Sequence, residues 1–336
     1  MATITAGAVV PVQSPYNTTP SYSGTFIPTI WSSKLNVKFY ATSVFADICN
    51  RNWEGDISNI GDKVVINNIP TLTINDYVVG NTLSYQAPTP NTIELLVDRA
   101  KYFGFNVSDV LDYQSKPDLM NVFSNDAAEQ MRTVIDSTCI YRSIFNGAAA
   151  NRGATAGVKS LAINLGTDTA PVALSTTTNT ILDTILGMAS VLDEQNIPDS
   201  DRYLVIDPAT RLALLKSNLQ QAQITGDSSS PIRNGMIGKI DRFTVYLSNQ
   251  LPYSAAGTAA PWFSGDGSEN SVTSAGTNLK RRAIFAGHKS AMSFASQMTK
   301  TEQLRNPNDF GDLVRGLQIF GHKVTKPEAL AVAVVA

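Results

Sequence analysis

Residues 55–97 of this chain have a turn-rich sequence that is typical of extended structure. Leu72, Ile74 and Val78 alternate with polar residues, which predicts a half-buried strand, and residues 93–97 predict a return strand. The pattern therefore predicts a long hairpin with few residues to form a core beneath it. Because an isolated two-stranded ribbon is only marginally stable in water, we expect this hairpin to lie on a neighbouring surface.

The N-terminal segment also lacks a core of its own. Its first thirty residues contain Pro11, Pro15, Pro20 and Pro28 among Ser, Thr and Tyr residues. Prolines at this density prevent helix formation and favour extended chain, so the segment is predicted to be disordered or to lie along another surface. A short helix is predicted after it, from apolar residues between Trp31 and Ile48.

The strongest helical pattern in the chain follows Pro117. Apolar residues recur there at spacings of three or four, and they are Met120, Phe123, Ala127, Met131, Ile135 and Cys139. The predicted helix covers about residues 118–146 and stops at Asn146-Gly147. At the α-helical rise this corresponds to about 42 Å, which is typical of a structural spine.

An alternation of helices and strands occupies the rest of the chain. A helix is predicted on the apolar face between Ile181 and Leu192, and another is predicted to begin with Asp207 as N-cap and Pro208 as first residue. Strands are predicted at residues 203–206, 243–247, 283–286, 317–320 and 329–336, with a weak signal at 161–163. The Gly-, Ser- and Thr-rich residues 251–279 predict an exposed loop.

Composition argues against several classes of protein. Charged residues make up 16% of the chain and the formal charge is −2, so tight nucleic-acid binding through clustered cations is not expected. The one dense basic run, residues 280–282, is predicted to be a solvated strand entrance. Cys49 and Cys139 are predicted to be buried, reduced thiols. We expect no secretory signal and no membrane span.

No constellation of residues indicates catalysis. The two histidines, His288 and His322, are predicted to be partly exposed strand or turn residues, and too few ligands are present for a zinc site. Asp199 and Asp201 could be imagined as paired carboxylates, but their surroundings predict an ordinary turn. The Gly-rich residues 265–268 lack the features of a phosphate loop and are predicted to be a loop. We expect neither a metal nor a cofactor.

Three segments resemble the major capsid proteins of tailed bacteriophages, the family with the HK97 fold. Residues 96–110 (LVDRAKYFGFNVSDV) are similar to the family's return strand before the spine helix. Residues 234–252 (NGMIGKIDRFTVYLSNQLP) resemble a family pattern that leads through a strand to Ser-Asn-x-Leu-Pro. Residues 309–321 (DFGDLVRGLQIFG) are similar to the family's C-terminal strand. Arg242 departs from the pattern, since many relatives have Gly there.

The resemblance implies an α+β, HK97-like capsid fold with a defined division of the chain. Residues 1–54 would form an N-terminal arm and residues 55–97 the extended β-hairpin, or E-loop. A peripheral domain would comprise residues 98–175, including the spine helix at about 118–146. An axial α/β domain would comprise residues 176–290, with a loop insertion at about 252–280. Residues 291–336 would return as strands to the peripheral domain.

The resemblance also implies a function as the structural, non-enzymatic subunit of an icosahedral phage head. Copies of the chain would assemble into hexamers and pentamers that enclose double-stranded DNA without sequence-specific binding. Scaffolding and portal proteins are expected partners, and a cement protein is a further candidate. Assembly would take place in the host cytoplasm and the protein would reside in the virion.

Candidate residues for these roles follow from the same resemblance. Expansion of a precursor shell requires joints, and the candidate hinges are Gly55, Gly61, Gly80 and Gly104, each of which could equally be a turn glycine. The candidate contacts between subunits are Lys63, Tyr77, Arg99 and Arg315. Covalent cross-linking cannot be inferred from Lys63 alone.

Two other functions remain open at this point. A decoration or surface-layer subunit would also be a non-catalytic assembly protein. An enzyme that uses Asp199 and Asp201 is the third possibility.

Overall fold

The structure is a computed structural model. It describes residues 43–53, 63–70, 72–77, 79–80, 82, 85–109, 119–167, 170–174, 180–216, 238–254, 260–263, 269–272 and 281–336. Most of the predicted N-terminal arm lies outside the described residues, as do Gly55, Gly61 and the Gly-rich residues 265–268.

A six-stranded mixed sheet forms the centre of the described fold. Its strands are β4 (Arg202–Ile206), β5 (Lys239–Ile240), β6 (Phe243–Leu247), β7 (Tyr253–Ser254), β10 (Arg281–His288) and β13 (Leu330–Val335). The order is β13-β10-β4-β6-β5, with β7 also paired to β10. Only the β4–β6 pair is parallel among these strands. Every residue of β4 and β13 is buried, in agreement with the apolar sequences of residues 203–206 and 330–335; the first residue of β4, Arg202, is buried as well.

A three-stranded antiparallel sheet lies beside the mixed sheet. It consists of β3 (Arg99–Ser108), β11 (Met292–Arg305) and β12 (Gly311–Val324), in the order β11-β12-β3. The sequence pattern predicted only a short part of β12 and did not predict β11. Much of β11 is polar, since charged and amide residues occupy its distal half from Lys300 to Arg305. Pairing of β11 along nearly all of β12 holds this polar strand in place.

The predicted spine helix is present as α2 (Leu119–Ser143), followed by a 3₁₀ turn at Ile144–Asn146. Gly147 ends the helix, but not through a left-handed cap, because its φ is −64° and its ψ is 159°. A Cβ on Gly147 would lie 2.9 Å from the carbonyl oxygen of Leu330. Glycine is therefore required here for the close approach of strand β13 to the helix end.

The other helices are α1 (Phe45–Ile48), α3 (Thr180–Glu194) and α4 (Pro208–Lys216). The predicted N-cap of α4 is confirmed: Asp207 Oδ1 accepts a hydrogen bond from the Thr210 N–H at 3.0 Å, and Oδ2 accepts one from the Ala209 N–H at 3.3 Å. A continuous apolar core joins α3, the C-terminal half of α2 and the mixed sheet.

Three local predictions were wrong. Within the predicted 251–279 loop, β8 (Ala260–Phe263) and β9 (Glu269–Val272) pair as a small antiparallel hairpin. Residues 161–163 form a single bridge, Ala156 to Ile163, and not a strand. In the basic run, Arg281 is buried, and Arg282 pairs with Asp207 at 3.0 Å, so this part of the run is not a solvated patch. Residues elsewhere in the sequence supply these contacts, so the local sequence pattern does not predict them.

Candidate assembly surface

The base of the predicted hairpin is packed within its own subunit. Strands β1 (Lys63–Asn68) and β2 (Asn91–Leu96) pair antiparallel, from Lys63 opposite Leu96 to Asn68 opposite Asn91. Ile66, Leu95 and Val97 form a small buried cluster with Ala295 of β11. This cluster is separate from the main core, so the hairpin base has its own anchor on the three-stranded sheet.

The outer half of the hairpin, residues 69–90, has no such anchor among its described residues. The large apolar side chains described there are exposed, with Ile74 and Tyr85 each 90% exposed; the others are Ile69, Leu72, Tyr77 and Val79. A group of exposed apolar side chains of this kind is a mark of an interaction surface. For the described residues of the hairpin, packing within the subunit therefore ends near the base.

The half-buried strand predicted around residues 72–78 was wrong. The described residues 72–77 form no ladder, and their side chains are exposed. In place of a ladder partner, the Gln86 side chain bonds the backbone of Thr73, donating to its carbonyl at 2.9 Å and accepting from its N–H at 3.1 Å. The alternation predicted a buried face, and no described residue of the subunit covers that face.

A second exposed apolar feature is the groove between β3 and the N-terminal half of α2. We call it the apolar groove, and its volume is about 520 Å³. Phe103 and Phe105 of β3 stack in it with ring centroids 6.3 Å apart, and Phe123 of α2 meets Phe105 edge-on at 5.9 Å. Tyr102 and Val134 at the groove remain exposed. The apolar stripe of α2 is therefore buried in the main core only toward the C-terminal end of the helix.

At the other end of the β3–α2 seam the surface becomes polar and basic. Arg99, at the start of β3, lies 3.7 Å from Asp98, and Arg142 lies in the last turn of α2. His322 of β12 lies beneath them, with its ring edge-on to Phe45 at 6.4 Å. Burial, and then the positive charges of Arg99 and Arg142, lower the pKa of His322 to about 4. His322 is therefore neutral at pH 7.

The predicted contact residues occupy different parts of this surface. Lys63 pairs with Glu94 across the hairpin base at 3.0 Å, and Arg315 of β12 pairs with Glu302 of β11 through its Nε at 2.8 Å. Tyr77 is exposed on the outer half of the hairpin. Arg99 lies at the basic end of the seam. Their roles between subunits remain predictions.

Two of the predicted hinge glycines can be placed. Gly80 lies at the hairpin tip with a φ of +96°, where any side chain would be strained, and a Cβ there would meet nothing within 4 Å. Gly104 lies inside β3, opposite Arg315 of β12, without a positive φ. Gly80 is therefore required by a turn, and a hinge role for either glycine remains a prediction.

Asp199, one of the two aspartates considered as catalytic carboxylates, is engaged in ion pairs. It belongs to a cluster in which Nη2 of the fully buried Arg202 lies 2.7 Å from Asp193 and 3.2 Å from Asp199. Arg242 completes the cluster, with Nη1 at 3.1 Å from Asp193 and 2.5 Å from Asp199. The positive φ of the turn falls on the preceding residue, Asp241, at 51°. Arg242 itself therefore does not adopt the left-handed conformation.

Across the residues that the structure describes, no group of three or more His, Cys, Asp or Glu could hold a metal ion. The same residues contain no helix that is both long and apolar enough to cross a membrane. Cys49 and Cys139 are buried and form no disulfide bond, as predicted, and burial raises the pKa of Cys139.

Comparison with known proteins identifies the family. The model of the phage capsid protein family matches residues 92–333, more than two thirds of the chain. The chain belongs to the phage capsid protein family. No curated protein matches it.

Solved structures agree with this assignment. A Mycobacterium phage Che8 structure is 25% identical, with a TM-score of 0.70, and the match covers 93% of this chain and 98% of that one. The capsid structure of cyanophage P-SCSP1u is 16% identical over 93% of both chains, with a TM-score of 0.67. The mature capsid of bacteriophage PhiM1 is 14% identical over 97% of this chain and 99% of that one, with a TM-score of 0.62.

The α+β fold is therefore the HK97-like capsid fold that the sequence segments resembled. The phage capsid proteins are a family of structural proteins. This chain is a structural subunit of a phage capsid, and its location is the virion. These matches do not favour a surface-layer or decoration subunit. Sequence reasoning identified the hairpin but did not predict that Arg142 and His322 lie together, because the basic end of the seam is assembled from segments far apart in sequence.

Proposed function

We propose that this subunit forms hexamers and pentamers of an icosahedral shell, in which the outer half of each hairpin lies on a neighbouring subunit. The observation that carries the proposal is the exposure of apolar side chains at residues 69–90 beside a well-packed hairpin base. Interfaces of obligate assemblies commonly bury about 2,000–5,000 Å², and an extended hairpin supplies such area without enlarging the core.

The parts of the fold have corresponding roles in this proposal. Residues 1–54 form the arm that crosses adjacent subunits, and residues 55–97 form the E-loop. The peripheral domain comprises residues 98–175, and residues 291–336 return to it. The axial domain, residues 176–290, lies nearest the five- or six-fold axis. Shell expansion bends the chain at Gly55, Gly61, Gly80 and Gly104.

The shell encloses double-stranded DNA without reading its sequence, and this proposal is supported by the formal charge of −2. The subunit assembles in the host cytoplasm with scaffolding and portal proteins, and a cement protein binds the finished shell. It carries no catalytic activity of its own. In support of this, the carboxylate of Asp199 is engaged by Arg202 and Arg242.

Electron cryomicroscopy of the purified protein, expressed with its phage's scaffolding protein, tests the proposal. We expect closed shells with six-fold and five-fold capsomers, in which density for residues 69–90 crosses to the adjacent subunit. A protein that stays monomeric under all assembly conditions would contradict the proposal. So would shells in which each hairpin folds back onto its own subunit.

A further inference from the structure

A polar cleft opens where the hairpin base, the end of α2 and β12 meet. It consists of two adjoining cavities of about 450 Å³ and 190 Å³, both lined by Asp98, Arg99 and Arg142. We call this the basic cleft. Lys101 lines its outer part, and Lys323 lines its inner part.

Among its described residues, the basic cleft carries more positive than negative charge. Four cationic side chains line it together with two carboxylates, Glu94 and Asp98. Glu94 is engaged by Lys63 at 3.0 Å, and Asp98 lies 3.7 Å from the guanidinium of Arg99. An additional carboxylate would therefore be attracted into this cleft.

The inner part also contains buried polar atoms that lack a hydrogen-bond partner among the described residues. These atoms are Ser143 Oγ, Asn146 Oδ1 and His322 Nδ1, and Ser143 is only 1% exposed. A buried polar atom without a partner destabilises the folded state, so three such atoms in residues that line one cleft favour a polar guest.

The chemistry of these atoms favours a peptide as that guest. The Ser143 hydroxyl can donate to a carboxylate, as can the surrounding cations. Asn146 Oδ1 can only accept, since its Nδ2 already donates to the Arg142 carbonyl at 2.8 Å. A phosphodiester offers no donor for Asn146, whereas a peptide with an acidic side chain offers a carboxylate and backbone N–H groups together.

The outer half of the hairpin carries one such side chain. Asp76 is the only Asp, Glu, Lys, Arg or His within residues 69–90. It is exposed in its own subunit, beside the exposed apolar residues Ile74 and Tyr77. The apolar groove adjoins the basic cleft, since Lys101 lines both. One carboxylate flanked by apolar residues thus matches a basic cleft flanked by an apolar groove.

We infer that the basic cleft is the receptor for Asp76 of a second copy of this chain, with the hairpin's apolar side chains lying in the apolar groove. The inference rests on the proposed function, which places the hairpin on a neighbouring subunit, and adds the residues that recognise it. The single charge sets the register of an otherwise apolar segment, because a shift along the seam would leave a desolvated carboxylate without a cation.

Carbodiimide coupling of wild-type shells tests the inference without a variant. This reagent joins a carboxylate to a lysine amine in direct contact. Shells are assembled from a mixture of unlabelled and ¹⁵N-labelled subunits, and the coupled peptides are identified by mass spectrometry. We expect Asp76 coupled to Lys101 or Lys323, with peptides of mixed label. The 3.0 Å pair of Lys63 and Glu94 is the internal positive control and should couple without mixing of labels.

The outcomes separate this inference from the proposed function. Mixed-label coupling of Asp76 only to lysines outside the basic cleft would overturn the inference and leave the hairpin on a neighbour. An uncoupled Asp76 beside a coupled Lys63–Glu94 pair would overturn the inference alone. Coupling of Asp76 only within its own chain would contradict both.

A matched pair of variants gives a second, independent measurement. Asp76→Asn removes the proposed guest, and Asp183→Asn removes an equal charge from an exposed position on α3. We expect Asp76→Asn to raise the subunit concentration required for assembly about tenfold, the effect of losing one charge-assisted contact, and Asp183→Asn to change it less than twofold. Equal effects of the two variants would overturn the inference.

Discussion

Replacement of residues 69–90 by Asn-Gly should abolish shell assembly while leaving the subunit folded. Asn68 lies opposite Asn91 in the hairpin register, so a two-residue turn can close the ladder at this point. The base cluster of Ile66, Leu95 and Val97 is retained. We therefore expect the free energy of unfolding of the unassembled subunit to change by less than about 1 kcal/mol, as for surface changes.

Assembly should respond far more strongly. Each large apolar side chain transferred from water to a neighbour contributes about 1.5–3 kcal/mol, and six are exposed on the outer half of the hairpin. Even a third of that total corresponds to a rise of about a hundredfold or more in the subunit concentration required for assembly. Sedimentation and electron microscopy would measure the loss of shells, and urea unfolding would measure the stability.

A matched pair of point variants controls for the deletion. Ile74→Ser removes an apolar side chain from the hairpin, and Leu212→Ser removes one exposed on α4. Only the first should impair assembly. Normal shells from the deletion variant would contradict the role given to the hairpin.

The second large effect concerns the ion-pair cluster around Arg202. The double substitution Asp193→Asn and Asp199→Asn should lower the free energy of unfolding by about 3 kcal/mol, because it leaves a fully buried guanidinium without a counter-charge. The backbone carbonyls of Pro198 and Ile197, which accept from Arg202 at 2.8 Å and 2.6 Å, would remain its partners.

Removal of the cation should cost less than removal of its counter-charges. Arg202→Met keeps much of the side-chain volume, and the partly exposed Asp193 and Asp199 keep Arg242 as a partner. We expect the two Asp→Asn changes to be nearly neutral when added to Arg202→Met. Urea unfolding of unassembled subunits gives all four free energies. A loss below about 1 kcal/mol for the double Asn variant would refute this description of the cluster.

Local signals predicted much of the fold because the responsible forces are local or periodic. The N-cap at Asp207 and the buried strand β4 follow from one residue's chemistry and from a continuous apolar run. The end of α2 at Gly147 was also predicted, but for the wrong reason. A close approach of Leu330 requires glycine there, and a contact so distant in sequence leaves no local signal.

The failures have a common physical cause, which is that the missing partner lies elsewhere. The alternation around Ile74 predicted a buried face, yet that face is exposed in the subunit. The basic cleft combines Arg99, Arg142 and His322, which only the tertiary fold brings together. Polar β11 is a strand because β12 pairs with it, and propensity alone does not favour that state.

If the outer half of the hairpin is ordered by an identical neighbour, amide hydrogen exchange of residues 69–90 should differ between unassembled subunits and closed shells. In the subunit these amides should exchange close to the rate of unfolded chain, while β1 and β2 remain protected. In the shell the exchange should slow by about a hundredfold or more, which corresponds to an opening free energy of about 2.7 kcal/mol or more. Equal exchange rates in subunits and shells would contradict the claim.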